Sequence, residues 1–307
     1  MRCLVTGASG FLGARLVGRL LAHGHSVSIL LRPTTSPWRL KDSLSHVRVI
    51  EGSLEDLGGL REGLQKQPVD ITFHLAWSGV RGIDRNNAEL SIRNINGSLQ
   101  LWKILHESGC LCMIGAGSQA EYGPYSSAIS ENMTTRPVTA YGASKLAIGI
   151  LLKQLCFSSK MHFSWIRVFS LYGPGDDEMN MVPSLIHSLL RGTCPKLTLG
   201  EQVWDYLHVD DAAEAFCAVA ENNAEGVFNL GSGCPVLLRD FVETVRNTIN
   251  PELPLGFGEV PYRPDQVMHL LANIDLIQAA TGWYPQISMQ HGIQQTVEWS
   301  KIRKDEF

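Results

Sequence analysis

The segment Thr6-Gly7-Ala8-Ser9-Gly10-Phe11-Leu12-Gly13 constrains the fold of this chain more than any other. A short apolar strand, residues 2–5, runs into it, and a helix, residues 11–23, runs out. Glycines between a strand and a helix permit a tight turn and let backbone N–H groups approach a ligand closely. The partial positive charge at the start of that helix favours a phosphate. The spacing is G-x-x-G-x-x-G, one residue longer than the common G-x-G-x-x-G. In this context it reads as a dinucleotide-phosphate cradle, with Gly7, Ser9, Gly10, Phe11, Leu12 and Gly13 against the cofactor.

The pattern that follows supports this. Residues 26–31, 47–50, 71–75, 111–114 and 163–168 read as strands, with helices near 90–108 and 141–157. Strands alternating with helices imply parallel pairing with crossover helices on both faces, an α/β doubly wound sheet. The pattern changes after Tyr172-Gly173-Pro174-Gly175. A helix over 182–191 follows. A short strand over 204–209 leads into a helix over 210–221, and 227–230 reads as one more strand of the main sheet. The expected division is a dinucleotide-binding domain, 1–172 plus 205–232, and a smaller, discontinuous substrate-binding lobe, 173–204 plus 233–307.

A net charge of -4 and the absence of any Lys/Arg block argue against nucleic acid. The seven scattered cysteines suit free thiols in a reducing compartment. No signal peptide and no run able to span a bilayer are visible. A cytoplasmic protein with no membrane partner is expected. The ten histidines show no H-E-x-x-H or other clear metal spacing, so no metal is expected. No G-x-S-x-G elbow surrounds Ser118, which gives a hydrolase little support.

Tyr141-Gly142-Ala143-Ser144-Lys145 carries the chemistry. Tyr141 and Lys145 are four apart on a helix and share a face. A free tyrosine, with a pKa near ~10, is a poor base at neutral pH, and a nearby ammonium favours phenolate. Ser118, just after a strand, supplies a hydroxyl to orient a carbonyl or alcohol. Behind a dinucleotide turn these three form a catalytic group: Ser118, Tyr141 and Lys145. At the end of the second strand stands Ile29-Leu30-Leu31-Arg32-Pro33, with no carboxylate to bond a ribose. Arg32 suits a 2′-phosphate. NADP(H) is therefore favoured, with NAD(H) the alternative.

These motifs together resemble the extended short-chain dehydrogenase/reductase family, in its sugar-nucleotide epimerase, dehydratase and reductase branch. The resemblance also rests on His74-Leu75-Ala76-Trp77, Asn94-Ile95-Asn96-Gly97-Ser98, Gly117-Ser118-Gln119-Ala120-Glu121-Tyr122-Gly123, Arg167-Val168-Phe169-Ser170-Leu171-Tyr172-Gly173-Pro174 and Asp205-Tyr206-Leu207-His208-Val209-Asp210-Asp211. It spans nearly the whole chain and implies a Rossmann-type fold. It makes Tyr141 the acid/base, Lys145 its electrostatic partner and ribose ligand, and Ser118 the hydroxyl at the reacting oxygen. Leu75, Ala76 and Trp77 would line the cofactor, with Ser53 and Leu54 near its adenine and Asn94 supporting the site. Gln119, Ser170, Val182, Trp204 and Arg263 would join Ser118 against a nucleoside-diphosphate sugar, with Arg263 on the diphosphate. His74 is expected to be structural.

Departures narrow the expectation. The 4,6-dehydratases carry a Glu two residues after the Ser/Thr, usually preceded by Asp; here Gln119-Ala120 stands there, which argues against dehydration. Trp77 is similar to the reductases of 4-keto-6-deoxy sugars. The expected activity is NADPH-dependent reduction of such a sugar nucleotide. The alternatives are an NAD-dependent epimerase using the same residues and a non-catalytic dinucleotide-binding protein. The apolar helix near 141–157, with that near 90–108, is expected to form a homodimer interface, as in the family.

Overall fold

The computed structural model describes residues 1–80, 82–263 and 266–303, the side chain of Ile83 excepted. In chain order the first six strands are β1 (Arg2–Thr6), β2 (Ser26–Leu31), β3 (Arg48–Glu51), β4 (Ile71–His74), β5 (Cys112–Ser118) and β6 (His162–Val168). They enclose helices α1 (Phe11–Ala22), α2 (Gly58–Lys66), α3 (Ala88–Glu107) and α4 (Ala140–Ser158). Beyond them come β7 (Ser170–Tyr172), α5 (Met181–Leu190), β8 (Lys196–Leu197), β9 (Val203–His208), α6 (Val209–Glu221) and β10 (Gly226–Leu230). The chain continues with β11 (Pro235–Leu237), α7 (Leu238–Ile249), β12 (Gly256–Phe257), β13 (His269–Leu270), α8 (Asp275–Thr281) and α9 (Met289–Ile302).

Seven strands pair in the order β10-β6-β5-β4-β1-β2-β3, every pair parallel. Strands covered on both faces must be apolar throughout, and Cys3-Leu4-Val5 and Ile71-Thr72-Phe73 are buried accordingly. α1 buries Gly13, Leu16, Val17 and Leu20, a helical stripe, and packs beside α6. Leu60 and Leu64 of α2, Leu101 and Leu105 of α3, and Ile148 and Leu152 of α4 share a second apolar cluster. The strand order turns outward in both directions from β1 and β4. That switch point is where a doubly wound sheet opens a crevice at its carboxyl ends.

β5 runs four residues beyond the strand expected over 111–114. Gly115 and Gly117 make the extension possible. A Cβ on either would strike the Trp165 side chain of β6, and one on Gly149 of α4 would sit 2.8 Å from the same ring. Three missing side chains thus form a slot for one indole. The slot draws α4 close to the sheet and places its first turn above the end of β5.

The strand expected over 204–209 is present as β9, which joins a separate sheet. It pairs with β7, β11 and β13. Tyr172, Val182, Leu185, Phe241, Val245 and Ile293 form a smaller core there. The strand expected over 227–230 does join the main sheet, as β10 beside β6. All seven cysteines are free. No helix among the described residues is long and apolar enough to cross a membrane.

Candidate active site

The turn after β1 forms the floor of a cleft. Gly7 has φ +72, and a Cβ there would lie 2.7 Å from the Ala76 nitrogen. A Cβ on Gly13 would run into the Gly7 carbonyl oxygen. Gly10 donates its N–H to that carbonyl at 3.0 Å and caps α1 without any side-chain hydrogen bond to the helix. The first turn of α1 therefore keeps its N–H groups for a ligand. A cradle that side chains would fill, at the positive end of a helix, fits a pyrophosphate.

One arm of the cleft runs from this turn to the ends of β2 and β3. Ser9, Arg32, Ser53, Leu54, Leu75, Ala76 and Trp77 line it. Arg32 is exposed at the mouth. Ser53 turns its hydroxyl toward its own loop and accepts the N–H groups of Glu55 and Asp56 at 3.2 and 3.1 Å. Glu55 lines the same arm and was not singled out by the sequence.

Behind the wall, Thr6 Oγ1 meets His74 Nδ1 at 2.9 Å, and His74 Nε2 meets Ser98 Oγ at 2.8 Å. Burial pushes His74 down to about 3, with the charge of Lys145 adding to the effect, so this histidine is neutral and holds β1, β4 and α3 together. Asn94 also sits behind the wall. It accepts the Ser78 N–H at 2.9 Å and donates to the Ser78 carbonyl at 2.8 Å. It braces the loop after Trp77 and is absent from the cleft lining, unlike the other expected cofactor contacts.

The second arm, about 700 Å³, runs from the glycine turn past the ends of β5 and β6 to β9. Phe11, Leu12, Gly13, Ser118, Gln119, Tyr141, Lys145, Ser170, Val182, Trp204 and Arg263 all reach it. Of the Tyr262-Arg263-Pro264-Asp265 motif, Pro264 and Asp265 lie outside the described residues. Trp204 is fixed by its indole N–H, which donates to the Val267 carbonyl at 3.0 Å.

Thr139 caps α4 by accepting the Gly142 N–H, and the Tyr141 N–H donates to the Arg85 carbonyl at 2.8 Å. Tyr141 is thereby held at the helix start, with Ser118 acting on its phenol. Burial raises the Tyr141 pKa; the Ser118 hydroxyl and the Arg85 charge oppose that rise, while Glu121 adds to it. The Arg85 guanidinium carbon lies 5.5 Å from the Tyr141 ring centroid. No sequence spacing links residue 85 to 141; only the fold joins them.

Lys145 is buried. Its Nζ donates to the Ala116 carbonyl at 2.7 Å and lies 3.9 Å from the Trp77 ring centroid. Burial pushes it down to about 7, against a smaller upward pull from Glu121. The sequence expectation gives Lys145 the task of lowering the Tyr141 pKa; Arg85 also places a cation beside that phenol. Arg39 and Asp176 also line the arm without a sequence signal. Asp176 accepts the Asp177 N–H and the Asn180 amide, and burial lifts it to about 6.

Lys145 makes a stability prediction. Its folded pKa of about 7 lies below the ordinary lysine value of 10.5. Below pH 7 both folded and unfolded chains carry the proton, and folding bears the full cost of burying the charge. Between about 7 and 10.5 only the unfolded chain binds it, so stability rises with pH. Lys145→Met is expected to raise stability by about 1–3 kcal/mol at pH 6, with the gain shrinking by pH 9. Thermal melts at both pH values check this; a lower midpoint for the variant at pH 6 would contradict it.

A parallel sheet with a glycine-rich turn after its first strand, and a serine, tyrosine and lysine over the same cleft, defines a nicotinamide-dependent dehydrogenase/reductase architecture. The chain belongs to the NAD dependent epimerase/dehydratase family, which it matches over residues 3–231. It is 27% identical to a UDP-glucose 4-epimerase of Corynebacterium glutamicum, over 93% of this chain and 91% of that one. It is 24% identical to a dTDP-4-dehydro-6-deoxyglucose reductase of Escherichia coli, over 96% of each. The structure of Thermus thermophilus UDP-glucose 4-epimerase in complex with NAD superposes with a TM-score of 0.87 at 25% identity, covering 98% of this chain and 99% of that one. The relatives are sugar-nucleotide epimerases, reductases and dehydratases, and the chain is an enzyme of that family.

Proposed function

We propose that the protein is an NADPH-dependent reductase of a nucleoside-diphosphate 4-keto-6-deoxyhexose. The observation that carries this reading is Arg32 at the mouth of the adenosine arm, where no carboxylate ends β2. A guanidinium there favours a 2′-phosphate. When bound, the nicotinamide supplies a hydride to the keto carbon. Tyr141 donates its proton to the alkoxide forming on the sugar, and Ser118 gives that oxygen a hydrogen bond. Lys145 holds the nicotinamide ribose. Residues 1–172 and 205–232 carry the cofactor, and 173–204 and 233–307 carry the sugar nucleotide, with Arg263 on its diphosphate. Dehydration lacks its acid/base pair, since Gln119 and Ala120 occupy those positions.

One observation favours a second reading. Glu55 lines the same arm as Arg32, and a carboxylate there suits the ribose hydroxyls of NAD. Tyr141 would then act first as base and later as acid, in an epimerase that returns the hydride to the other face of the sugar.

Nicotinamide absorbance during incubation with NADPH and a panel of nucleoside-diphosphate 4-keto-6-deoxy sugars separates the readings. Substrate-dependent, stoichiometric loss of NADPH is the expected result. Isomerised sugar nucleotide with retained NAD means the epimerase. No change with any sugar nucleotide, alongside tight dinucleotide binding, means a non-catalytic role. Arg32→Ser is expected to weaken NADPH binding ~10–100-fold, the worth of one charge-assisted hydrogen bond, and to leave NADH binding unchanged. Fluorescence titration with both cofactors measures it.

The protein works as a homodimer in this reading. Ile150, Leu151 and Phe157 of α4 are 56%, 45% and 81% exposed, and Ile92 on the adjacent α3 is 59% exposed. An apolar face of that extent suits a partner surface. Ile150→Glu with Phe157→Glu is expected to yield monomer, read as a halved mass in light scattering; a monomeric wild type would refute the dimer.

A further inference from the structure

At the end of the sheet opposite the cleft, two histidines and a carboxylate converge. His23 closes α1, His25 precedes β2, and Glu221 ends α6. His23 Nδ1 and His25 Nε2 point at the same oxygen, Glu221 Oε1, at 2.8 and 3.0 Å. The three atoms lie within 4.8 Å of one another. Residues 196 and 198 apart in sequence meet here, which is why no histidine spacing revealed them.

We propose that His23 Nδ1, His25 Nε2 and a Glu221 carboxylate oxygen form a binding site for one divalent transition-metal ion of the zinc or cobalt type. Two imidazoles and one carboxylate are a donor set for a borderline ion, not for calcium or magnesium. Metal–ligand bonds of about 2.0–2.1 Å set neighbouring ligand atoms ~3.4 Å apart in a tetrahedron. The observed contacts to the carboxylate oxygen are a few tenths of an ångström shorter, as hydrogen bonds are. Exchanging bridging protons for an ion needs only small side-chain shifts.

One outer position is built as a metal-binding histidine requires: His23 Nε2 faces Glu214 Oε2 at 3.2 Å, and Glu214 is itself held by Arg19 at 3.2 Å. Such a partner fixes ring orientation and tunes the donor. His25 Nδ1 faces the Met1 amino group at 3.4 Å, a donor that must move aside for water when Nε2 takes the ion. His23 and Glu221 are partly exposed, so water can complete the coordination. A rival triad, His23, Glu214 and Cys217, shares the first histidine. Cys217 is buried, whereas His23 and Glu221 reach the surface. The ion would tie the end of α1 to the end of α6, far from the catalytic cleft.

The test uses full-length protein without a histidine tag, stripped with chelator and titrated with Co²⁺, then Zn²⁺. One equivalent of Co²⁺ with visible d–d absorption is expected, displaced by Zn²⁺, which should raise the melting midpoint by several degrees. His23→Gln and His25→Gln should each weaken binding ~100-fold or more, and Glu214→Gln about tenfold. Cofactor binding by each variant verifies that it folds. Absence of Co²⁺ binding, equal binding by the histidine variants, or a cobalt–thiolate band showing Cys217 as ligand would each overturn the assignment.

Discussion

Tyr141→Phe is expected to lower turnover by about 10²–10⁴-fold, the usual contribution of a positioned proton donor, with cofactor binding nearly unchanged. The side chain is half-buried at the start of α4, and its ring meets Trp77 edge-on at 6.3 Å between centroids. Phenylalanine keeps that packing and the backbone bond to Arg85. Only the hydroxyl is lost, and with it the proton that the proposed mechanism delivers to the sugar oxygen. Burial raises the phenol pKa, which suits the acid role the proposal gives it. Single-turnover measurement of hydride transfer, with cofactor titration on the same sample, separates chemistry from binding. Turnover within threefold of wild type would remove Tyr141 from the mechanism in both the reductase and the epimerase readings.

Much of this arrangement was legible in the chain. The strand–turn–helix at Gly7 to Gly13 is local: its glycines, flanking apolar strand and helix stripe lie within one crossover unit. The Tyr141–Lys145 pair is local too, because a helix sets its geometry. What stayed hidden depends on contacts between distant segments. Arg85 reaches Tyr141 only through a loop-to-helix bond. Arg39 comes beside Asp176 through its bond to the Gly175 carbonyl, 136 residues away in sequence. Asn94 shows a different limit: its motif was visible, yet only the structure shows that it braces Ser78 from behind the cleft wall. β5 runs past the expected strand because Gly115 and Gly117 leave the space that the distant Trp165 fills.

That same indole belongs to the network with the largest expected effect on stability. Glu121 is fully buried, and its two oxygens bond groups on β5 and β6. Oε1 accepts the Ser118 N–H and the Trp165 indole N–H, both at 2.9 Å. Oε2 accepts Arg167 Nε at 2.7 Å. Arg167, 7% exposed, also donates to the Tyr122 hydroxyl, which donates to Asn229 on β10. Glu121→Ala would leave a buried guanidinium without its counter-charge and an indole N–H without an acceptor. Breaking one side of such a pair costs about 3–5 kcal/mol, a large share of the ~5–15 kcal/mol that stabilises a domain. A fall in the melting midpoint of roughly 10 °C is expected, and the folded fraction should turn over more slowly because Ser118 loses the bond that sets its backbone. Glu121→Ala with Arg167→Met should regain part of the loss, since both charges then leave together. Chemical denaturation of the two single variants and the double variant gives the coupling directly. A cost for Glu121→Ala below about 1 kcal/mol, or strict additivity in the double variant, would show that β5, β6 and β10 are held here by packing alone.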